Sequence, residues 1–479
     1  MTADRTVIVR IGLFFGLIVA VQAFSVPRSA GPDEPAHVRR GAALWGGQLL
    51  GAEPVGDVDD AGRTFELPGW VGAPDPGCYA QMPHVPASCA SVSPDDGGTQ
   101  DLASTAATNP PWAHILPGVG TLAPGEARTM WLSRLLHAIV PTGLVVAALA
   151  RLRLAGRSDE IGAALLALTP MALFTFSVVN PSGWSVSGAL VVWLAARDVA
   201  RGDASAGNLL AVGWLVAVLA RNDGPLWMCA ALAIVLLVEH CSPRRFWDRL
   251  PPVPRIAMPL GLAASAAWTI LVPPKLAETQ RLHDAGLGTI VNMIVSRTGD
   301  HLRSAVGVLG WLDTSIPETA MLVWWVGVGI LLGAALVAAN TRAALGSVIA
   351  LAGFVVISWV VEFSQVRDIG LYWQGRYALP LLMGVPLLLA PRHRSRPLNV
   401  GAVVGVMAVV VWNMSYLQAI RRWGVGEGGS LSPLNWGTYS TPLPLELLMV
   451  LHIAASVLLL WSCLAHQPAS GLRPRVDDR

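Results

Sequence analysis

Charge is scarce in this chain. Asp, Glu, Lys and Arg make up 13% of its 479 residues, while 53% are hydrophobic; ordinary globular domains carry about 25% charged residues. Lysine is nearly missing, with Lys275 alone among the arginines. This composition excludes a disordered or collagen-like chain, and five cysteines are too few for a disulfide-stapled scaffold. A net charge of +2 gives no footing for nucleic acid. The sequence also lacks a Gly-rich phosphate loop, zinc-spaced Cys and His, and a serine nucleophile elbow, which excludes the common ATP-driven pump and zinc or serine hydrolase layouts.

What is present is a series of apolar blocks, each about the length that crosses 30 Å of hydrocarbon. The chain reads as an all-α polytopic membrane protein, a single membrane domain over 1–479. About twelve spans are expected, near 7–27, 130–150, 160–179, 181–196, 206–220, 225–239, 256–272, 319–339, 343–362, 377–390, 398–416 and 444–465. The first has a signal-like start at Arg5 and Arg10, but Val26-Pro27-Arg28-Ser29-Ala30 is a poor cleavage site, so it is expected to stay as an anchor. A cytoplasmic N-terminus places 18 of the 33 basic and 9 of the 31 acidic residues inside, a net +9 against −7 outside. That division follows the positive-inside tendency. The expected outer segments are a large loop over 28–129, rich in turn residues and read as loops with short interfacial helices, and further loops over 273–318 and 417–443. Residues 466–479 form a cytoplasmic tail.

Six polar motifs fall on the expected outer side: Gly31-Pro32-Asp33-Glu34-Pro35-Ala36-His37, Asn109-Pro110-Pro111-Trp112, Asn180-Pro181-Ser182-Gly183, Arg221-Asn222-Asp223-Gly224, Gly310-Trp311-Leu312-Asp313-Thr314 and Gln374-Gly375-Arg376-Tyr377. A binding cavity on that face would collect them, whereas incidental loop polarity would scatter them. His37, Asn109, Asn180, Arg221, Asp313, Gln374, Arg376 and Tyr377 are therefore candidate substrate-binding residues. Asp33 and Glu34, just past a span, could take a proton from a hydroxyl or hold a divalent cation; capping of the following helix is the competing reading. Arg376 could grip a phosphate through two parallel hydrogen bonds. Arg221 could do the same, or could simply pair with Asp223.

Cys78 and Cys89 share the large outer loop, where an oxidising exterior would favour a disulfide. Asp57-Val58-Asp59-Asp60-Ala61-Gly62 resembles a calcium loop but fails at Ala61 and Pro68, so it reads as a solvated turn. The 19 tryptophans, many near span ends, suit an interfacial belt.

The motifs around Asp33, Asn180, Asp313 and Arg376, in that order, resemble those of the bacterial membrane family catalogued as domain of unknown function 2142. That family in turn resembles the integral-membrane fold C glycosyltransferases. The resemblance implies a catalytic acidic residue in the first outer loop, at Asp33 with Glu34 as helper or substitute. It also implies a polyprenyl-phosphate sugar donor entering from the bilayer, an envelope glycan or glycolipid acceptor, and a place in the bacterial inner (plasma) membrane. A transporter or flippase of lipid-linked glycans, or a non-catalytic envelope-assembly scaffold, are the alternatives.

Overall fold

The computed structural model describes residues 2–52, 62–72, 75–90, 98–273, 282, 285–390, 399–437 and 439–465. The calcium-loop-like stretch 57–61, the 391–398 arginine cluster and the 466–479 tail lie outside them.

The chain enters along α1 (Thr2–Ser25), turns, and forms α2 (Glu34–Trp45), a two-stranded ribbon of β1 (Arg63–Pro68) and β2 (Thr99–Ser104), and α3 (Trp112–Gly118). It then runs through α4 (Glu126–Leu154), α5 (Ser158–Ala167), α6 (Pro170–Ser177), α7 (Pro181–Ala200), α8 (Gly207–Ala220), α9 (Gly224–Val238), α10 (Pro243–Arg249) and α11 (Pro252–Leu271). Two short helices, α12 (Leu287–Ser296) and α13 (Thr298–Gly307), precede the small β3 (Val308–Leu309) and β4 (Thr314–Ser315) pair. The bundle closes with α14 (Glu318–Val337), α15 (Thr341–Ile369), α16 (Gly375–Leu382), α17 (Gly384–Leu389), α18 (Val400–Val425) and α19 (Leu445–Leu464).

The protein is an all-α polytopic membrane protein. Helix occupies each of the expected apolar segments, yet among the described residues six helices are long and apolar enough to cross a membrane, and up to eight if two bent pairs each count as one span. The difference from about twelve has a physical source. Helices α8 and α9 have 14 and 15 residues, short of the roughly 20 that cross the hydrocarbon. Helix α7 carries Ser182, Ser185, Ser187, Arg197 and Asp198 and is buried along its whole length. A helix sheathed by other helices need not match lipid, and α7 packs against α4, α6, α8, α9 and α16.

Prolines set the breaks. Thr169 accepts the Ala172 N–H with Pro170 at the first helical position, so α5 ends and α6 starts at a 69° bend. Gly384 opens α17, where a Cβ would come within 2.4 Å of the Trp193 ring.

In the segment between α1 and α4, the ribbon departs from the expected loops and short helices. Strands β1 and β2 pair antiparallel from Arg63–Ser104 to Pro68–Thr99. Phe65 and Leu67 point inward and Glu66 outward, the period of a half-buried strand. Their side chains join Val38, Ala43, Val71 and Met130 in a separate apolar cluster that docks this segment on α2 and α4. Cys78 and Cys89 form a disulfide with Cα atoms 6.2 Å apart.

Candidate functional site: a carboxylate and two arginines around Tyr377

The turn after α1 is built by one buried arginine. Arg134, in the first turns of α4, donates to the carbonyls of Ala23, Val26 and Pro27 at 2.9, 2.6 and 2.8 Å. Its remaining N–H groups meet both oxygens of Glu34 at 2.7 and 2.6 Å. Glu34 also accepts the Val179 N–H at 3.0 Å, and neither side chain is exposed. The expected role of Glu34 as base or helper therefore gives way to a structural one, since its carboxylate is sealed and spent on Arg134. Glu34 Oε1 accepts two of these bonds and Oε2 the third, so a divalent cation shared with Asp33 would compete with Arg134 for this carboxylate. Among the described residues no group of three His, Cys, Asp or Glu is arranged to hold a metal.

Asp33 takes the opposite course. It occupies the N-cap position of α2 with φ 59°, but its side chain makes no capping bond. The carboxylate instead extends outward, 44% exposed, and accepts from Arg376 Nη2 at 2.9 Å. Capping thus does not explain this residue. The left-handed backbone is strained for most side chains but tolerated by Asp and Asn. Asn180 fixes the turn by donating from its amide to the Pro32 carbonyl at 3.0 Å while its oxygen caps α7 at the Ser182 N–H, 2.9 Å away. Both ends of Asn180 are used, so it positions the Asp33 turn and has little left for a substrate.

Arg376 enters from α16. It is 1% exposed, and its Nε and Nη1 have no partner among the described residues. Buried guanidinium N–H groups without acceptors are costly, about 1–3 kcal/mol for each unsatisfied group. Tyr377 lies between two cations, 5.0 Å from Arg376 and 4.4 Å from Arg221, measured from each guanidinium carbon to the ring centre. Arg221 forms the Asp223 pair anticipated as its alternative role, at 2.9 and 3.2 Å, and donates to Ser182 Oγ at 3.2 Å. Beside them, Gln374 Oε1 and Trp373 Nε1 are buried without partners among the described residues.

The loop holding Arg376 is clamped from behind. The Gly375 N–H donates to Ser304 Oγ at 3.0 Å, and only glycine fits there because a Cβ would sit 1.8 Å from the His301 carbonyl oxygen. Glu362 of α15 accepts the Trp373 N–H at 3.4 Å and also pairs with Arg297. Sequence reading missed Glu362, His301 and Ser304; the one available signal was a carboxylate inside an otherwise apolar span.

His37 lies under the site, with Nδ1 3.1 Å from His114 Nε2, whose own Nδ1 faces the Pro110 carbonyl. Burial, then the neighbouring His114, Arg221 and Arg376, holds the His37 imidazole well below its ordinary pKa; burial lowers His114 to about 3. Both rings are neutral in the folded protein near pH 7. An unfolded imidazole gains a proton below about pH 6.5, so the stability from keeping these rings neutral is complete above that pH and is lost as pH falls toward the folded values. For His114 alone the loss from pH 7 to 5 is about 2 kcal/mol. The melting temperature in detergent should therefore drop on acidification, and His37→Gln with His114→Gln should flatten that dependence. An equally steep drop in the double variant would assign the effect to other groups.

Two candidates stand apart. Asn109 is tied into a turn by its N–H to the Ala106 carbonyl at 3.0 Å and, among the described residues, makes no hydrogen bond to Asp33, Arg221 or Arg376. Asp313 is pinned by Arg422 Nη2 at 2.7 Å, the Gln81 N–H at 3.1 Å and Thr314 Oγ1 at 2.9 Å. Arg422 also donates to the carbonyls of Tyr79, Met82 and Val85, fastening the disulfide loop to α18. Trp311 Nε1 donates to the Ser29 carbonyl at 2.9 Å, joining the Asp313 motif to the turn that bears Asp33.

The fold and site together define a multi-pass α-helical membrane protein with a carboxylate-arginine centre at one end of its bundle, assembled from motifs far apart in the chain. It belongs to the family described as "Predicted membrane protein (DUF2142)", which matches residues 14–385 and so spans the centre from Asp33 to Tyr377. No curated protein and no solved structure matches the chain.

Proposed function

We propose that the protein is a glycosyltransferase of the integral-membrane fold C type, with about twelve helices traversing the bilayer. In this reading it moves a monosaccharide from a polyprenyl-phosphate donor to a cell-envelope glycan or glycolipid on the outer face of the bacterial plasma membrane, both termini being cytoplasmic. The observation that carries it is the exposed Asp33 carboxylate against the buried Arg376, whose Nε and Nη1 await acceptors. The two groups point to different sides of the guanidinium, so a lipid phosphate oxygen accepts from one of them, and the lipid tail suits a site at the end of a membrane bundle.

The proposed steps use these groups as follows. The acceptor hydroxyl loses its proton to Asp33 Oδ1, the oxygen turned away from Arg376, and its oxygen bonds to the anomeric carbon. The bond from that carbon to the phosphate oxygen breaks on the opposite side, so the configuration inverts. The electron pair stays on the departing polyprenyl phosphate, where Arg376 meets the developing charge. Arg221, committed to Asp223, holds Tyr377 against this cation and contributes a positive field. Base action by Asp33 supplies about 10² to 10⁴ in rate.

Arg376→Lys tests the donor half. It keeps the charge but loses the planar guanidinium and its spread of donors, removing a charge-assisted hydrogen bond of about 1.5–3 kcal/mol. The kcat/KM for a polyprenyl-phosphate sugar should fall about 10- to 100-fold with little change in melting temperature. Unchanged donor kinetics would show that Arg376 does not hold the phosphate.

A further inference from the structure

Beside the Asp33 turn lies a groove of about 450 Å³ that the donor chemistry leaves unused, lined by Gln81, Pro83, Trp311, Leu312, Asp313, Ser315 and Glu427. Its size is within the range of about 300–1,000 Å³ typical of small-ligand sites. We infer that this groove binds the neutral saccharide portion of the acceptor, an inference that rests on the glycosyltransferase reading.

The walls are fixed before any ligand arrives. Gln81 and Pro83 belong to the loop closed by the Cys78–Cys89 disulfide, and Arg422 fastens that loop through three carbonyls. The Glu427 N–H donates to the Pro83 carbonyl at 2.9 Å, binding the far wall to the near one. Trp311 is held by its bond to Ser29, four residues before Asp33. The bulky Leu312 is kept at φ 63°, an uncommon conformation for a branched apolar residue, with its side chain exposed at the rim. Rigid walls spare a ligand the entropy of ordering them.

The lining chemistry selects the ligand class. An indole offers a flat apolar face, Glu427 an acceptor, Ser315 a hydroxyl that both donates and accepts, and Gln81 an amide that does the same. A sugar presents a matching surface, with C–H groups on one face and hydroxyls around its edge. Arg422 commits Nη1 and Nη2 to Asp313 and carbonyls beneath the groove, and among the described residues no arginine or lysine lines it, so a phosphate group finds no exposed counter-ion there. The anionic donor and the neutral acceptor are thereby separated, with phosphate at Arg376, saccharide at Trp311 and the proton acceptor Asp33 on the turn between them.

The test uses the full chain in nanodiscs and saturation-transfer NMR with a panel of neutral linear hexasaccharides built on hexose or pentose backbones. Signal transfer from wild type to at least one panel member is expected. Glu427→Gln combined with Gln81→Gly should weaken that binding 10-fold or more, glycine being chosen because Gln81 has φ 61°. Asp33→Asn should bind the saccharide as wild type does, so the groove and the reaction are read separately. No binding by wild type, or undiminished binding by the groove variant, would overturn the groove even if Asp33→Asn abolishes transfer. Binding lost only in the groove variant, with Asp33→Asn fully active, would keep the groove as a glycan site and end the transferase reading.

Discussion

Arg134→Ala is expected to lower the unfolding free energy by about 3–5 kcal/mol, the usual cost of leaving one member of a buried ion pair alone. The reason is specific to this turn. Arg134 neutralises Glu34 and at the same time satisfies three carbonyls at the end of α1. Glu34→Gln should cost less, about 1–3 kcal/mol, because the amide oxygen can still accept one bond while its NH₂ faces the guanidinium. Replacing both residues with methionine should recover part of the loss by removing the stranded charge, but not all of it, since the carbonyls remain unpaired. Thermal melts of the three variants in one detergent check this order. A shift of only a degree or two for Arg134→Ala would mean that water or lipid headgroups reach the turn and the pair is not sealed.

Asp33→Asn is expected to reduce sugar transfer by about 10² or more while leaving the melting temperature close to wild type. Asn tolerates the left-handed backbone of this position, and no capping bond is lost because none exists. The amide can still meet Arg376 with its oxygen but cannot accept the acceptor proton. Glu34→Gln, tested in parallel on the folded fraction, should retain transfer, since its carboxylate never faces the site. Loss in Glu34→Gln with full activity in Asp33→Asn would exchange their roles and contradict the burial pattern.

How much of this was legible in the sequence can be judged residue by residue. The apolar blocks announced a polytopic helical protein because hydrocarbon thickness imposes a length on each run. The motif clustering was legible too, and Asp33, Arg221, Arg376 and Tyr377 do converge. What could not be read was which polar group pairs with which. Glu34 and Asp33 are adjacent and chemically alike, yet one turns inward to Arg134, 100 residues away, and the other outward to Arg376, 343 residues away. Asn180 and Asp313 looked like ligand contacts because loop polar residues often are, whereas the fold spends them on backbone groups and Arg422. Arg134 left a trace, a lone cation inside the second apolar run, and such a residue implies a buried partner. The β1–β2 ribbon escaped notice because its alternation spans only Thr64 to Leu67, too short to stand out among turn residues.

The central claim is that Arg376 receives a lipid phosphate while Asp33 faces the sugar. Its most direct test is a cryo-EM structure of Asp33→Asn in nanodiscs loaded with a polyprenyl-phosphate monosaccharide, the substitution stalling transfer. The account predicts phosphate density within hydrogen-bond reach of Arg376 Nε or Nη1, with the sugar between it and residue 33. Phosphate density elsewhere on the bundle, with Arg376 still paired only to residue 33 and Tyr377, would contradict it.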